Sequence, residues 1–282
     1  MTYREAMEIL SDSGVENGGF EAALLFSSIL GIGMSSIPLL GDRDFESDAL
    51  ALAVKRRAEG YPLQYILGEW EFYGLPFEVC EDCLCPRPDT EVLVETAIKL
   101  IPPGGRFLEL CTGSGCIPVS ICKNRPDTRG IATDLFERTL GVAIRNASRN
   151  GVSDKIEFLL ADVFDLEVWE NGRGRELIPD GGFDAIVSNP PYIPTAHVES
   201  LSREVKHEPR AALDGGEDGL DFYRFIVGEY LKYLSDDGVL IFEIGYDQGD
   251  ALCKIAEENK CSCRVIKDLG GNDRVTVIKK YK

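Results

Sequence analysis

The residues best suited to chemistry form the run 187–192, which reads Val-Ser-Asn-Pro-Pro-Tyr. Because proline has no backbone N–H, Pro190 and Pro191 leave carbonyl oxygens without competing donors, and the Asn189 side chain adds an amide oxygen. Tyr192 offers a flat face on which a conjugated group can stack. Such acceptors beside an aromatic face suit a planar NH2 group, on a carboxamide or on an aminated base. An Asn-Pro dipeptide alone is more typical of a plain turn, but the whole run after an apolar strand favours a binding pocket.

A glycine-rich turn follows an apolar strand earlier in the chain, where 107–115 reads Phe-Leu-Glu-Leu-Cys-Thr-Gly-Ser-Gly. Gly113 and Gly115 let the backbone approach a ligand closely, and a helix is predicted from Ile117. A dinucleotide fingerprint would place a third glycine at Cys111, so a bound pyrophosphate is disfavoured. The turn alone is weak support for a cofactor site.

Two acids at the ends of the next predicted strands strengthen that interpretation. Asp134 ends the second strand, nineteen residues after Gly115, where a carboxylate accepts hydrogen bonds from ribose hydroxyls. Asp162 ends the third strand and is placed to accept from an adenine amino group. A solvated acid is a common alternative for Asp134 alone, but the glycine turn and both acids together indicate a nucleoside pocket without a phosphate clamp. S-adenosylmethionine fits that pocket better than a nicotinamide cofactor does.

A sulfonium methyl donor beside a pocket for NH2 defines a reaction, which is methyl transfer to nitrogen. At this point the chain closely resembles the release-factor glutamine methyltransferases, also called the HemK family. The resemblance covers essentially the whole chain, most weakly its N-terminal part, and the segments that carry it are 60–68, 86–91, 109–115, 189–192, 208–213 and 268–274. The run 189–192 alone is shared with DNA amino-methyltransferases, whereas its combination with the proline-arginine segment 86–91 is more specific.

The resemblance implies methylation of the side-chain amide nitrogen of the glutamine in the Gly-Gly-Gln loop of peptide chain release factors, with S-adenosylhomocysteine as product. It implies that residues 189–192 hold the glutamine and that three of them are catalytic, namely Asn189, Pro190 and Tyr192. The cofactor contacts carried over by position are Glu109, Cys111, Thr112, Gly113, Ser114, Gly115, Asp134, Asp162, Val163 and Asn189. The family usually has glycine where this chain has Cys111. Arg87 is a candidate lid over the cofactor, and a helix start is an equally favoured role for its segment, 86–90.

Because an amide nitrogen is a poor nucleophile, the main contribution to the rate must be its alignment with the sulfonium methyl. Acceptors from Asn189 and the Pro190 carbonyl favour the positive charge that develops on the nitrogen. His197 and His207 suit surface positions better than a general base, so the proton is expected to leave to water. Both lie in the connection 193–220, whose length predicts a substrate-facing lid.

Helical periods without strand alternation predict a small N-terminal bundle, with helices at 3–10, 20–30 and 45–59. Gly31 and Gly60 are predicted stops, and Asp44 and Ser47 are candidate caps of the third helix. Aromatic runs on either side of a Gly-Leu-Pro turn predict a hairpin at 70–79. We therefore expect a bundle at 1–68 that docks the release factor, a hairpin linker at 69–84 and a methyltransferase domain at 85–282.

From Pro102 onward, short apolar strands alternate with longer helical stretches, which is the pattern of an α/β fold with a parallel sheet. Seven strands are predicted, at 106–110, 130–133, 155–160, 183–188, 239–244, 264–268 and 275–279. With the resemblance, they imply a seven-stranded Rossmann-like class I SAM-dependent methyltransferase domain. Ligands bind beyond the carboxyl ends of such strands, which is where 189–192 lie.

The formal net charge of −18 argues against nucleic acid as a partner, because phosphate binding draws on lysine and arginine. Residues 1–83 hold fifteen acidic and five basic groups, a net −10, which suits a solvated surface or docking to a basic protein. A nucleic-acid amino-methyltransferase with adenine in the same pocket is therefore a disfavoured alternative. A non-catalytic protein that binds release factors or ribosomes is another, and the intact run 189–192 and Asp134 speak against it.

Nine cysteines without an export signal, and no apolar run near the ~20 residues of a membrane span, predict a cytoplasmic protein with reduced thiols and no disulfide framework. We also expect a monomer. Cys80, Cys83 and Cys85 resemble half of a zinc site. No metal is expected, because the nearest candidates for the other half, Cys261 and Cys263, lack a suitable spacing.

Overall fold

Residues 1–281 are described by a computed structural model, in which the chain forms two compact units. The first contains residues 1–69 and 201–207, and the second contains residues 70–200 and those from 208 onward. The segment 201–207 therefore belongs with the N-terminal unit, although more than a hundred residues of chain separate them in sequence.

Four helices build the first unit, namely α1 Tyr3–Asp12, α2 Gly18–Leu30, α3 Asp48–Ala58 and α4 Leu63–Leu67, with a 3-10 turn at Met34–Leu39. The Thr2 hydroxyl accepts from the N–H of Glu5, whose carboxylate accepts from the N–H of Thr2, so a capping box begins α1. Gly31 ends α2 in the left-handed conformation. The three predicted helices are confirmed, while the periodicity does not anticipate α4 or the 3-10 turn.

Helix α3 begins three residues later than predicted. Ser47 is its N-cap, and its hydroxyl accepts from the N–H of Leu50 at 3.2 Å. Asp44, the other candidate cap, instead pairs with the amino group of Met1. Phe45 packs edge to face against Phe26. These contacts hold the residues before Ser47 outside the helix.

Arg57 of α3 is the buried charge of the first unit, with 3% of its surface exposed. Its guanidinium pairs with Glu21 of α2 and with Glu204, whose Oε1 lies 2.6 Å from Nη2. A buried guanidinium without such partners would be strongly destabilising. The two carboxylates therefore account for its burial, and one of them comes from the segment 201–207.

A hairpin of β1 Glu69–Phe72 and β2 Leu75–Glu78 follows. Its two-residue turn consists of Tyr73 and Gly74, which have φ of 52° and 70°. The predicted Gly-Leu-Pro turn at 74–76 is therefore wrong, and Pro76 lies inside β2. A tyrosine in the left-handed region is rare, which is why the sequence does not reveal the turn.

All seven predicted strands of the sheet are confirmed, as β3 Arg106–Leu110, β4 Arg129–Asp134, β5 Ile156–Leu160, β6 Phe183–Ser188, β7 Leu234–Glu243, β8 Cys261–Lys267 and β9 Asp273–Lys280. Their order is β5-β4-β3-β6-β7-β9-β8. The prediction of a parallel sheet is wrong for one strand, because β9 runs antiparallel to both β7 and β8. Apolar patterning places a strand in a core but does not state its direction.

The second unit contains the helices α5 Glu91–Leu100, α6 Cys116–Asn124, α7 Glu137–Arg149, α8 Glu167–Glu170, α9 Arg173–Leu177, α10 Thr195–Val198, α11 Asp221–Glu229 and α12 Gly249–Glu258. Those that contribute to the two hydrophobic clusters cover both faces of the sheet. Consecutive residues of β3 enter different hydrophobic clusters, Phe107 with α5 and α6 and Leu108 with α11 and α12. A sheet buried on both faces explains why its strands read as continuous apolar runs.

The strand order reverses between β3 and β6, because the chain from β3 continues to β4 on one side and from β6 to β7 on the other. Leu110 and Ser188 are partners at the ends of the two strands, and the Ser188 hydroxyl donates to the Leu110 carbonyl at 2.7 Å. The glycine turn and the run 189–192 therefore leave the sheet side by side, where open α/β sheets bind ligands.

One expectation about the cysteines is wrong, because Cys253 of α12 and Cys263 of β8 form a disulfide with Cα atoms 5.1 Å apart. Cys263 therefore cannot bind a zinc ion together with the thiols of Cys80, Cys83 and Cys85. Within residues 1–281, no group of three or more His, Cys, Asp or Glu side chains is arranged to hold a metal ion. The same residues include no helix that is both long and apolar enough to span a membrane.

Candidate active site

A cavity of about 340 Å³ lies at the carboxyl edge of the sheet in the second unit, a size typical of small-molecule sites. The predicted site residues that line it are Arg87, Cys111, Thr112, Gly113, Ser114, Asp134, Asp162, Val163, Asn189 and Pro191. The remaining four, Glu109, Gly115, Pro190 and Tyr192, are absent from its lining. Segments that follow β3, β4, β5 and β6 thus meet around one space.

The glycine turn after β3 depends on left-handed backbone at alternate positions. Cys111, Gly113 and Gly115 have φ of 61°, 56° and 78°. A Cβ atom at Gly115 would lie 2.9 Å from the Cβ of Ala143 in α7, whereas one at Gly113 would meet nothing within 4 Å. Gly115 therefore permits close packing of a helix, and Gly113 leaves open space beside the cavity. Cys111 adopts a conformation that glycine adopts at less cost.

Asp134, at the end of β4, holds the glycine turn. Its Oδ2 accepts from the N–H of Gly113 at 3.0 Å, and its Oδ1 accepts from the N–H of Phe136 at 3.2 Å. Burial raises the pKa of this carboxyl, and the backbone N–H groups oppose that rise. Each oxygen keeps acceptor capacity for a ligand hydroxyl. Asp134 is thus both a support of the turn and part of the cavity wall.

Asp162, after β5, repeats this arrangement. Its Oδ1 accepts from the N–H of Phe164 at 2.9 Å, as Asp134 does from Phe136. Phe164 lies 4.8 Å from the ring of Phe222, and all three phenylalanines line the cavity. These rings are apolar walls for a planar base. Sequence reasoning missed them, although an Asp-x-Phe pattern at successive strand ends is a signal that identifies two of them.

Glu109 is fully buried beneath the turn and does not line the cavity. Its Oε2 accepts from the hydroxyl of Thr112, and its Oε1 has no hydrogen-bond partner among residues 1–281. Burial raises the pKa of this carboxyl well above its usual value. Glu109 therefore supports Thr112, which does line the cavity.

Asn189, directly after β6, is half-buried and lines the cavity. Its Nδ2 donates to the hydroxyl oxygen of Thr90 at 3.4 Å. Because Nδ2 faces Thr90, Oδ1 is the end of the amide that is left to accept from a ligand.

Tyr192 is not among the residues that line the cavity. Its ring packs against the hydrophobic cluster that contains Tyr223, and its carbonyl accepts from Nε2 of Gln248 at 3.0 Å. Burial raises the pKa of its hydroxyl. Pro190 is also buried, and Pro191 is the proline that lines the cavity.

Arg87 lines the cavity and forms an ion pair with Glu208, which is buried. Arg87 precedes the 3-10 turn Pro88–Thr90, but its side chain makes no capping bond there. Ala211 and Asp214, a few residues beyond Glu208, also line the cavity. Part of the long connection 193–220 is thus a wall of the site, held there by Arg87.

The sequence predicts surface positions rather than a general base for the two histidines, and their surroundings agree with that prediction. His207 lies in the first unit against the ring of Tyr61, with centroids 5.2 Å apart. His197 lies in α10 and is exposed. Neither lines the cavity.

Sequence reasoning missed Glu243, the last residue of β7. It follows Phe242, the strand partner of Ser188, so it lies level with Asn189. Only 2% of it is exposed, and burial raises its pKa to about 7, while the polar side chains of Thr90 and Asn189 oppose the rise. The sequence does contain a signal for this residue, which is an acid inside the apolar strand predicted at 239–244.

Both parts of the chain match known protein families. A sequence model of the PrmC N-terminal domain matches residues 2–68, and one of the methyltransferase small domain matches residues 88–217. The release factor glutamine methyltransferase of Geobacter sulfurreducens is 40% identical over 271 residues, which cover 94% of this chain and 91% of that protein. Those of Moorella thermoacetica and Aquifex aeolicus are 38% and 34% identical, covering 96% and 93% of this chain and 94% and 91% of their own lengths.

Solved structures share the fold at low sequence identity. A methyltransferase from Pyrococcus furiosus is 18% identical with a TM-score of 0.52, covering 73% of this chain and 89% of its own. The catalytic domain of hMettl16 is 15% identical with a TM-score of 0.57, covering 84% and 82%. These likenesses show a methyltransferase fold and nothing further about the ligand.

Proposed function

Because this chain belongs to the family of release factor glutamine methyltransferases, we propose that it methylates the side-chain amide nitrogen of a release-factor glutamine with S-adenosylmethionine. The glutamine is the one in the Gly-Gly-Gln loop. One observation carries the proposal, which is that Asn189 and the glycine turn with Asp134 line a single cavity. An acceptor for NH2 and a nucleoside site thereby share one space.

The cavity walls suit S-adenosylmethionine. Asp134 is the candidate partner of the ribose hydroxyls, and Asp162 and Val163 flank the adenine, with Phe136 and Phe164 as apolar walls. Gly113 leaves the space in which the methionine part approaches the backbone. Arg87 is the only lysine or arginine among the described lining residues, and Glu208 already neutralises it. A site without a free cation fits a sulfonium nucleoside better than a phosphorylated one.

The residues of this chain act on the reaction by alignment and electrostatics. When bound, S-adenosylmethionine supplies an electrophilic methyl on sulfur. Transfer forms an N–C bond at the glutamine, breaks the C–S bond, yields S-adenosylhomocysteine and releases one amide proton to water. Asn189 Oδ1 accepts from the NH2 group, and this interaction strengthens as the nitrogen becomes positive.

The N-terminal part, at 1–68, is proposed to dock the release factor, with 69–84 as linker and 85–282 as the methyltransferase domain. Support comes from the charge of residues 1–83, a net −10, and from exposed apolar side chains among the helices, including Phe20, Leu39 and Leu52. Acidic groups around apolar contacts suit a basic protein surface. The proposal includes a monomer that acts in the cytoplasm, where release factors work.

Radiolabelled methyl transfer tests the proposal. Purified protein and S-adenosylmethionine are incubated with a release factor, with its Gly-Gly-Gln to Gly-Gly-Ala variant, and with a DNA duplex. The expected result is label on the first substrate alone. Label on the Gly-Gly-Ala variant would move the reaction to another residue, and label on the duplex would favour the nucleic-acid alternative. Cofactor binding without any transfer would favour a non-catalytic binding protein.

A further inference from the structure

We infer that Thr90 and Glu243 are positioning residues that fix the orientation of the Asn189 amide, so that Oδ1 rather than Nδ2 meets the NH2 group of the substrate. This inference rests on the proposed function, because only a donor substrate needs Oδ1. The three residues come from different elements, which are the start of α5 and the carboxyl ends of β6 and β7.

Thr90 occupies a position where its hydroxyl would ordinarily cap a helix. It is the N-cap of α5, yet its side chain makes no capping hydrogen bond. The residue is 2% exposed, and its oxygen accepts from Nδ2 of Asn189. Thr90 and Asn189 each oppose the rise of the Glu243 pKa as hydrogen-bonding side chains, so both face its carboxyl group. Asn189 is therefore linked both to Thr90 and to Glu243.

The charge of Glu243 sets the direction of this link. An ionised carboxylate only accepts, so Glu243 favours the amide orientation with Nδ2 on its side, which is also the orientation in which Thr90 accepts from Nδ2. A protonated carboxyl can donate to Oδ1 and thereby favours the flipped amide. The flipped amide would present Nδ2 to the NH2 of the glutamine, where two donors meet. One Glu243 oxygen, Oε2, has no hydrogen-bond partner among the described residues.

The groups that face Glu243 come from several elements. Those that interact with its charge are Arg274 of β9, Asp89 of the turn before α5, Tyr192 of the loop after β6, Tyr223 of α11 and Cys116 of α6. Arg274 is the single cation in this set, and it also pairs with Asp89 at 3.0 Å and with Asp268 at 3.2 Å. Its charge is therefore shared, and Glu243 stays close to the midpoint of its titration near neutral pH.

Substitution at Thr90 tests the link by kinetics. Thr90→Val removes the acceptor of Asn189 Nδ2, and we expect kcat for the release factor to fall about 10-fold with little change in KM. Thr90→Ser keeps the hydroxyl and should restore kcat. The matched control is Thr276→Val, because Thr276 is fully buried in β9 with a hydroxyl that has no hydrogen-bond partner among residues 1–281. Equal kcat in Thr90→Val and Thr276→Val would overturn the inference.

Glu243→Gln is a second test, because it removes the ionisable group and nearly preserves the volume of the side chain. In the unsubstituted protein, kcat should rise with pH through about 7, as Glu243 ionises. Glutamine both donates and accepts at any pH, so kcat should be lower at pH 8 and the step near pH 7 should be lost. A step that persists in Glu243→Gln would assign it to another group and would contradict the link.

Nuclear magnetic resonance of the Asn189 side-chain amide separates this inference from the proposed function. Its NH2 signals should shift with a midpoint near pH 7 in the unsubstituted protein and stay constant in Glu243→Gln. Such a shift without methylation of any release factor would contradict the proposed function but not the link. Methylation with a shift that persists in Glu243→Gln would contradict the link but not the proposed function.

Discussion

The two ends of the cavity are built in different ways. At the cofactor end, Asp134 and Asp162 accept from N–H groups two residues further along the chain. At the acceptor end, Asn189 binds Thr90, which is 99 residues away, and Arg87 binds Glu208, which is 121 residues away. The cofactor end is therefore mostly local backbone structure, whereas the acceptor end exists only when distant elements have packed. Cofactor binding should tolerate changes that abolish alignment of the acceptor.

A buried acid beneath each end sharpens this contrast. Glu109 supports the cofactor end through its neighbour Thr112, and Glu243 lies behind the acceptor end in a strand from another part of the chain. Burial raises the pKa of both carboxyls. Each acid thus lowers stability where it is ionised, and the acceptor end needs that ionised form for its chemistry.

The largest expected effect is on the pH dependence of stability. Glu243 has a folded pKa of about 7 against an ordinary 4.5, so its contribution is fully present below pH 4.5 and is lost as pH rises through 7. That loss is about 3 kcal/mol of unfolding free energy. Glu243→Gln cannot ionise, so its stability relative to the unsubstituted protein should increase by this amount between pH 4.5 and pH 8.

Urea denaturation at the two pH values measures this difference. Glu95→Gln is the control, because Glu95 is exposed on α5 and pairs with Lys99. A stability difference for Glu243→Gln that is the same at both pH values would show that Glu243 does not ionise in this range. Gain of stability together with lower kcat would mark Glu243 as a residue kept for alignment.

Substitutions at the two ends should separate binding from rate. Asn189→Ala removes a half-buried acceptor, and a loss of about 1 to 3 kcal/mol lowers kcat by about 10- to 100-fold. Binding of S-adenosylmethionine should stay nearly unchanged. Asp134→Asn weakens a carboxylate that accepts from ligand hydroxyls and from the turn, and should raise the Kd for the cofactor by about 10-fold.

Calorimetry for the cofactor and single-turnover rates for the release factor check both changes. The comparison of the two ends fails if Asn189→Ala loses cofactor affinity as strongly as Asp134→Asn does. Wild-type turnover in Asn189→Ala would remove the pocket assignment altogether.

The same contrast explains what could be predicted from the sequence. Strands such as 106–110 and 183–188 are readable because buried strands are continuous apolar runs between turn signals. The cofactor end follows from them, since Asp134 ends β4 and Gly113 and Asp162 come soon after the ends of β3 and β5. The acceptor run 189–192 is recognised for the same reason.

Features that depend on distant packing were not readable. Nothing in the sequence places Thr90 or Glu243 beside Asn189, and nothing reveals that Tyr192 packs against a hydrophobic cluster and is absent from the cavity lining. The segment 201–207 joins the first unit through Glu204, and the residues around this acid in the sequence do not indicate that contact. The antiparallel direction of β9 is likewise decided by how the chain returns to the sheet.

The smallest expected effect is the difference in stability between substitutions at two glycines of one turn. Gly115→Ala and Gly113→Ala both place a Cβ in left-handed backbone, which costs about 1 to 2 kcal/mol each. Gly115→Ala also puts its Cβ 2.9 Å from that of Ala143, so it should cost about 1 kcal/mol more. Urea denaturation measures both variants.

A double-mutant cycle assigns that extra cost. Ala143→Gly alone weakens α7 by about 1 kcal/mol, but combined with Gly115→Ala it should cost less than the sum, because the close contact is absent. Additivity in this cycle would mean that α7 moves freely away from the turn. The cofactor end would then rest on the turn alone, since the hydrogen bond from Gly113 to Asp134 would hold it without the helix.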